Sequence, residues 1–220
     1  MKGYGQFCPV AQALEVLAER WTLLVVRELL MGSTRFGELK RGVPRMSRTL
    51  LSQRLATLRD QGLVERFEGD SGPEYRLTEA GRALRPIIEG IGVWGKQHVS
   101  RPPDEDLDPD LLMWDLQRRL DVERLPAERT VVLFRLHDER RGESRYWLHV
   151  TGPEIDLCRA SLGFDVDLTV EGELRALTDV WMGRQSFPQV LRARTLRLTG
   201  NARLRREFPD WLKLSVFAAA

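Results

Sequence analysis

At Gly62 the hydrophobic rhythm of this chain changes, and that change confines its first third to few arrangements. Before it, apolar residues recur at helical spacing: Val10, Ala13, Leu14 and Leu17; Trp21, Leu24, Val25 and Leu29; Phe36 and Leu39; Leu51, Leu55 and Leu58. Pro9 suits a first helical turn, Gly32 ends the second run, Ser47 is a good N-cap for the fourth, and Gln61-Gly62 closes it. After Gly62 the period falls to 2, so residues 63–67 and 74–77 read as two strands, joined by the turn-forming Glu68-Gly69-Asp70-Ser71-Gly72-Pro73. Thr78 then caps another helix, with Glu79 favourable in its first turn, expected to run to about Val99.

Charge gives this framework a direction. Residues 35–59 hold seven Lys/Arg against one acidic residue, Glu38. The net charge of +2 hides an asymmetry: residues 1–100 carry 15 basic and 11 acidic side chains, residues 101–220 carry 19 and 21. Only the first part has the sign expected of a nucleic-acid surface. Two short helices joined by a tight turn, the second basic outward, followed by a hairpin, predict a winged helix-turn-helix.

At about 100 degrees per residue, the face opposite Leu51, Leu55 and Leu58 carries Thr49, Gln53, Ala56 and Asp60. Ser47, Thr49, Ser52 and Gln53 fall in the early turns, where a recognition helix meets the major groove. Gln53 can pair bidentately with adenine, Thr49 can offer a hydroxyl or methyl, and Arg48 can reach guanine or phosphate. Arg45, Arg54 and Arg59 are expected on the flanks, as phosphate or packing residues. The hairpin tip carries Glu68 and Asp70 but no arginine, which argues against minor-groove insertion there.

Cys8-Pro9-Val10, Glu19-Arg20-Trp21-Thr22, Arg35-Phe36-Gly37-Glu38-Leu39, Ser52-Gln53-Arg54-Leu55, Gly62-Leu63-Val64 and Tyr75-Arg76-Leu77-Thr78-Glu79-Ala80-Gly81 together resemble the HxlR-type transcriptional regulators over about residues 7–98. The resemblance implies a dimeric, MarR-like winged helix that binds double-stranded DNA. The apolar seam Ala80, Leu84, Ile87, Ile91 and Trp94 fits a homodimer contact; the alternative is that it only covers its own domain or docks on the second one. Some regulators of this kind sense oxidants through a cysteine near Cys8, where Pro9 could open a helix whose N-terminus favours a thiolate; a small buried thiol is the alternative.

Ser100-Arg101-Pro102-Pro103 followed by Asp104-Glu105-Asp106 marks the expected boundary between domains at 1–100 and 108–220. Beyond it, residues 107–120 suggest a helix, and residues 130–136, 146–150, 155–158 and 164–171 suggest strands. Phe164, Val166, Leu168 and Val170 alternate with Asp165, Asp167, Thr169 and Glu171. A helix with Leu174, Leu177 and Trp181, a strand at Leu196-Arg197-Leu198 and a terminal helix with Leu204, Phe208 and Trp211 complete an α+β domain on a mainly antiparallel sheet. The sequence from Phe164-Asp165-Val166-Asp167 through Leu196-Arg197-Leu198-Thr199-Gly200 is similar to the sterol-carrier-protein type 2 (SCP2-like) fold. That likeness implies an apolar effector pocket, with Phe134, Trp147, Leu168, Trp181, Phe187 and Leu191 as its walls. An ordinary aromatic core is the competing explanation.

The remaining chemistry points away from catalysis. His98, His137 and His149 lack metal-ligand spacing, Cys8 and Cys158 do not form a disulfide framework, solvation of a shared strand face explains Asp165 and Asp167, and His137 and His149 have no sequence-marked nucleophile. No cofactor, metal or enzyme activity is expected. No apolar run approaches the ~20 residues of a membrane span, and the N-terminus lacks a signal-like organisation, so a cytoplasmic protein is expected. The alternative function is a lipid-binding or protein-interaction module whose winged helix no longer binds DNA.

Overall fold

The computed structural model describes residues 3–70 and 72–219; Met1, Lys2, Ser71 of the expected turn and Ala220 lie outside the described residues. The chain divides into two compact units, Met1–Trp94 and Gly95–Ala220. Among the described residues, no helix is long and apolar enough to cross a membrane.

The first unit contains α1 (Pro9–Leu17), α2 (Thr22–Leu30), α3 (Phe36–Gly42), α4 (Arg48–Asp60), the antiparallel hairpin β1 (Val64–Gly69) and β2 (Gly72–Leu77), and α5 (Glu79–Arg82). The next helix, α6 (Arg85–His98), runs past the unit boundary. Leu39, Met46, Leu51, Leu55, Leu58 and Val64 form the core with Val25 and Val26 of α2. Each fully buried side chain of this kind contributes about 1.5–3 kcal/mol.

The inward face of α2 is Thr22, Val25, Val26 and Leu29, and Leu24 is exposed. The expected set shifted because Trp21 takes a left-handed conformation (φ 79°) and the helix starts only after it. The expected helix from Thr78 to Val99 is two helices. Pro86 has no N–H to give the carbonyl of Arg82 and its ring crowds that carbonyl, so the chain turns at Ala83-Leu84 and α6 restarts with proline in its first turn.

The second unit adds a short 3-10 turn (Asp104–Asp106), α7 (Pro109–Arg118), β3 (Thr130–Asp138), β4 (Gly142–Thr151), β5 (Glu154–Cys158), β6 (Leu168–Glu173), α8 (Leu174–Trp181), α9 (Phe187–Ala193), β7 (Leu196–Gly200) and α10 (Ala202–Trp211). The sheet order is β5-β4-β3-β6-β7. Its β3–β6 pair is parallel and the other pairs are antiparallel, so the sheet is mixed. The chain leaving β5 must pass β4 and β3 to reach the far side of β3, a crossover that strand alternation alone does not reveal.

Along β3, Val132, Phe134 and Leu136 point into one buried core with Leu148 of β4, Leu168 and Val170 of β6, and helix residues such as Met113, Leu177 and Phe208. The intervening residues, including Arg135, His137 and Trp147, belong to the opposite face by strand alternation. The strand expected from Phe164 begins only at Leu168. Phe164 instead meets His149 edge-on with ring centroids 5.8 Å apart, and lies 4.0 Å beneath the guanidinium of Arg129.

Residues 101–107, read from sequence as a spacer, are tied into the second unit. Arg101 pairs with the buried carboxylate of Asp179, Arg175 Nη2 donates to the Pro102 carbonyl at 2.8 Å, and Arg141 Nη1 donates to the Leu107 carbonyl at 2.8 Å.

Candidate nucleic-acid interface

The interface is built around α4. Ser47 caps it, accepting the amide of Leu50 at 3.2 Å, while Leu51, Leu55 and Leu58 are buried on its inner side. That anchoring leaves Ser47, Arg48, Thr49, Ser52, Gln53 and Arg59 exposed, with Arg45 exposed in the preceding turn. The turn is held by Lys40, whose Nζ donates to the Pro44 carbonyl at 2.6 Å, and by Met46, which is buried.

A clamp behind the turn, not read from the sequence, sets the packing of α3 against α2. Arg27 donates to Glu28 Oε1 at 2.7 Å and to the Gly42 carbonyl at 3.0 Å. Glu28 is fully buried, and a Cβ on Gly42 would stand 1.9 Å from its Oε2. The sequence signal was an acidic residue at an inward position of an apolar helix beside an arginine, with a glycine ending the next helix.

The basic residues divide by their partners. Arg48 lies with its guanidinium 5.4 Å from the ring centre of Phe36, which steadies it without cancelling its charge. Arg54, expected on the flank as a phosphate or packing residue, turns back toward the protein: it pairs with Glu19 and donates from Nε to the Arg20 carbonyl at 3.2 Å. It is a strut between α4 and the α1–α2 turn, the same turn in which Trp21 is strained. Arg59 pairs with the exposed Asp60 at 3.3 Å.

Both arginines of the hairpin are paired within it. Arg66 meets Glu68 at 2.8 Å and Arg76 meets Glu74 at 3.0 Å, while Arg76 also covers Phe67. Its base is fixed to the helices: the Tyr75 amide donates to the Thr34 carbonyl at 2.7 Å. Thr78 Oγ1 donates to the Gly62 carbonyl at 2.7 Å and accepts the Gly81 amide at 3.1 Å. A Cβ on Gly81 would meet the Leu63 carbonyl oxygen at 2.2 Å, which explains glycine at that position.

The helical seam divides as well. Leu84 is buried in the first unit's core, whereas Ile87, Ile91 and Trp94 are 50%, 50% and 59% exposed. On α1, Val10 and Leu14 are also exposed, next to Phe7. Cys8 is half-buried and not in a disulfide. The amides of Ala11 and, less strongly, Val10 hold its thiol below the ordinary pKa, although neither makes a full capping hydrogen bond.

The six expected pocket residues do not all lie on one face of the sheet. Phe134, Leu168, Trp181 and Phe187 are packed in the second unit's core, where the Phe208 ring lies 5.9 Å from Phe134 and 5.8 Å from Phe187. Trp147 pairs in register with Leu133 on the other face of the sheet, and Leu191 lines an open surface concavity. The fold does gather one group of ligand-type side chains that sequence spacing missed: His137 Nε2 lies 3.7 Å from both Glu143 Oε2 and Glu171 Oε1. Arg135 already bridges those carboxylates, at 2.8 and 3.1 Å, and Glu143 is held below the usual carboxylate range first by Arg145 and then by Arg135. The guanidinium supplies the cation there.

Comparison with known proteins agrees with this architecture in the first unit. The HxlR-like helix-turn-helix family model matches residues 16–103. The HTH-type transcriptional regulator Rv3095 of Mycobacterium tuberculosis is 47% identical over 98 residues, covering 42% of this chain and 60% of that protein. The chain therefore spans about 60% of the length of the mycobacterial relatives it matches. YvaP of Bacillus subtilis, also named an HTH-type transcriptional regulator, is 38% identical over 99 residues, covering 43% of this chain and 92% of YvaP. The reduced form of the regulator YodB from B. subtilis is 29% identical, with a TM-score of 0.39, covering 44% of this chain and all of that one. By its first unit, the chain belongs to the HxlR-like helix-turn-helix family.

Proposed function

We propose that this protein is a sequence-specific regulator of transcription that binds double-stranded DNA as a homodimer and acts by binding, not by catalysis. The observation that carries this reading is α4: one side buried and capped, the other presenting Arg48, Thr49, Ser52 and Gln53 to solvent. Gln53 and Thr49 read base edges, Arg45, Arg48 and Arg59 meet phosphates, and Arg54 positions the helix. The exposed apolar residues Ile87, Ile91 and Trp94 support self-association through α6. The second unit is the natural place for an effector to act, and its order of α7, three strands, β6, two helices, β7 and α10 supports the SCP2-like reading. The cytoplasm is the compartment such a regulator needs.

A footprint and gel shift on the DNA adjoining the protein's own gene test the proposal. A protected site lost in Gln53→Ala is expected; absence of any protected site would overturn it. The lowered Cys8 thiol favours a second reading within the same class, in which oxidation of Cys8 weakens DNA binding. Mild oxidation should then release DNA from the native protein and not from Cys8→Ser; equal release from both would remove Cys8 from the mechanism.

A further inference from the structure

The second unit is acidic as a whole, yet residues 180–206 contain seven arginines and no aspartate or glutamate. Three of those arginines border one concavity. Arg194 from the end of α9, Arg197 from β7 and Arg205 from α10 line a single open concavity of about 490 Å³ with Leu191, Leu196 and Leu198. Leu196 is buried, and Leu191 and Leu198 pack against the core, so the floor is the apolar skin of that core. All three arginines are exposed.

Two carboxylates close to them in the fold are engaged elsewhere. Glu171 stands opposite Arg197 in the β6–β7 register but pairs with Arg135 at 3.1 Å. Glu207, on the same helix as Arg205, is held by Arg203 at 2.8 Å. Arg194 adds a backbone argument. It ends α9 in a left-handed conformation (φ 61°), where glycine or asparagine is the low-cost residue. A side chain kept at such a position is a pointer to function.

We propose that this concavity binds a small organic anion. A carboxylate, sulfonate or phosphate sits among the forks of Arg194, Arg197 and Arg205, and an apolar body lies on Leu191, Leu196 and Leu198. Guanidinium groups pair bidentately with planar and tetrahedral oxyanions, and the volume lies within the range of about 300–1,000 Å³ usual for small-molecule sites. The ligand therefore differs from the wholly apolar one that a core tunnel would take. The site does not depend on the DNA-binding reading, because it is tested without DNA.

The test is a fluorescence titration of the full chain with 8-anilinonaphthalene-1-sulfonate, beside N-phenyl-1-naphthylamine, which has the same rings and no sulfonate. Saturable binding of the sulfonate is expected, weakened at least tenfold in Arg197→Ala/Arg205→Ala. The uncharged probe should bind at least tenfold more weakly than the sulfonate and be indifferent to that substitution. Arg205→Glu is a second variant, judged with the first by circular dichroism to be folded. Unchanged sulfonate affinity in both variants would overturn the proposal, as would equal affinity for the two probes. Displacement of the sulfonate by inorganic phosphate at equal concentration would also overturn it, since the apolar floor would then contribute nothing. Heparin held more tightly by the native chain than by the variants, with sulfonate binding unaltered, would reassign the patch to a polyanion and overturn it too.

Discussion

The outer face of α4 and the hairpin beside it both carry arginine, but they hold its charge differently. On the hairpin, residues two apart share a face, so Arg66 lies beside Glu68 and Arg76 beside Glu74, and the pairs cancel locally. On α4, the neighbours of Arg48 three and four positions on are Leu51 and Ser52, and its guanidinium rests on Phe36 with its charge intact. A count of arginines treats these surfaces alike. Their geometry makes one an available cationic face and the other a folded ion-pair ribbon, worth little to stability because its pairs are exposed.

The largest way to break this contrast is to disturb what holds α4 outward. Gly42→Ala forces a methyl into the buried Glu28 carboxylate and is expected to cost about 1–3 kcal/mol, read as a lower urea midpoint with DNA affinity falling alongside. Arg54→Ala, which leaves Glu19 without its partner, should cost about 1–2 kcal/mol of stability while the salt dependence of DNA binding keeps its slope. A slope reduced by one would mean that Arg54 touches phosphate after all. Within the exposed face, Gln53→Ala should lose about 1–3 kcal/mol of discrimination between specific and altered sites, whereas Arg45→Ala should weaken all DNA alike and lower the salt slope by about one, both read by fluorescence anisotropy at several salt concentrations. The smallest effect is expected from the hairpin: Arg76→Ala should change DNA affinity by less than about threefold, and a tenfold loss would show that its pair with Glu74 opens to reach DNA.

Much of the first unit was legible because its determinants are local. Ser47, Leu51, Leu55, Leu58 and the change of period at Gly62 lie within a few residues of the structure they specify. For Arg54 the sequence left phosphate contact and packing both open, because its partners, Glu19 and the Arg20 carbonyl, lie more than thirty positions away. The break before α6 was written in Pro86, but the apolar spacing of Leu84, Ile87 and Ile91 continues across it and masked it. In the second unit, alternation finds the strands, although it carries β6 back to Phe164, and says nothing about their neighbours, so the parallel β3–β6 pair was hidden. The expected pocket residues divide for a related reason: Phe134 and Trp147 are both large and apolar, and only the pleat of their strands decides that one enters the core and the other does not.

The Thr78 hydroxyl, bonded at once to Gly62 and Gly81, makes a joint with almost no play. Gly81 already lies so close to the Leu63 carbonyl that the start of α5 has no room to slide against the chain leaving α4. One hydroxyl thus ties the start of α5 to the end of α4, the helix that carries Gln53.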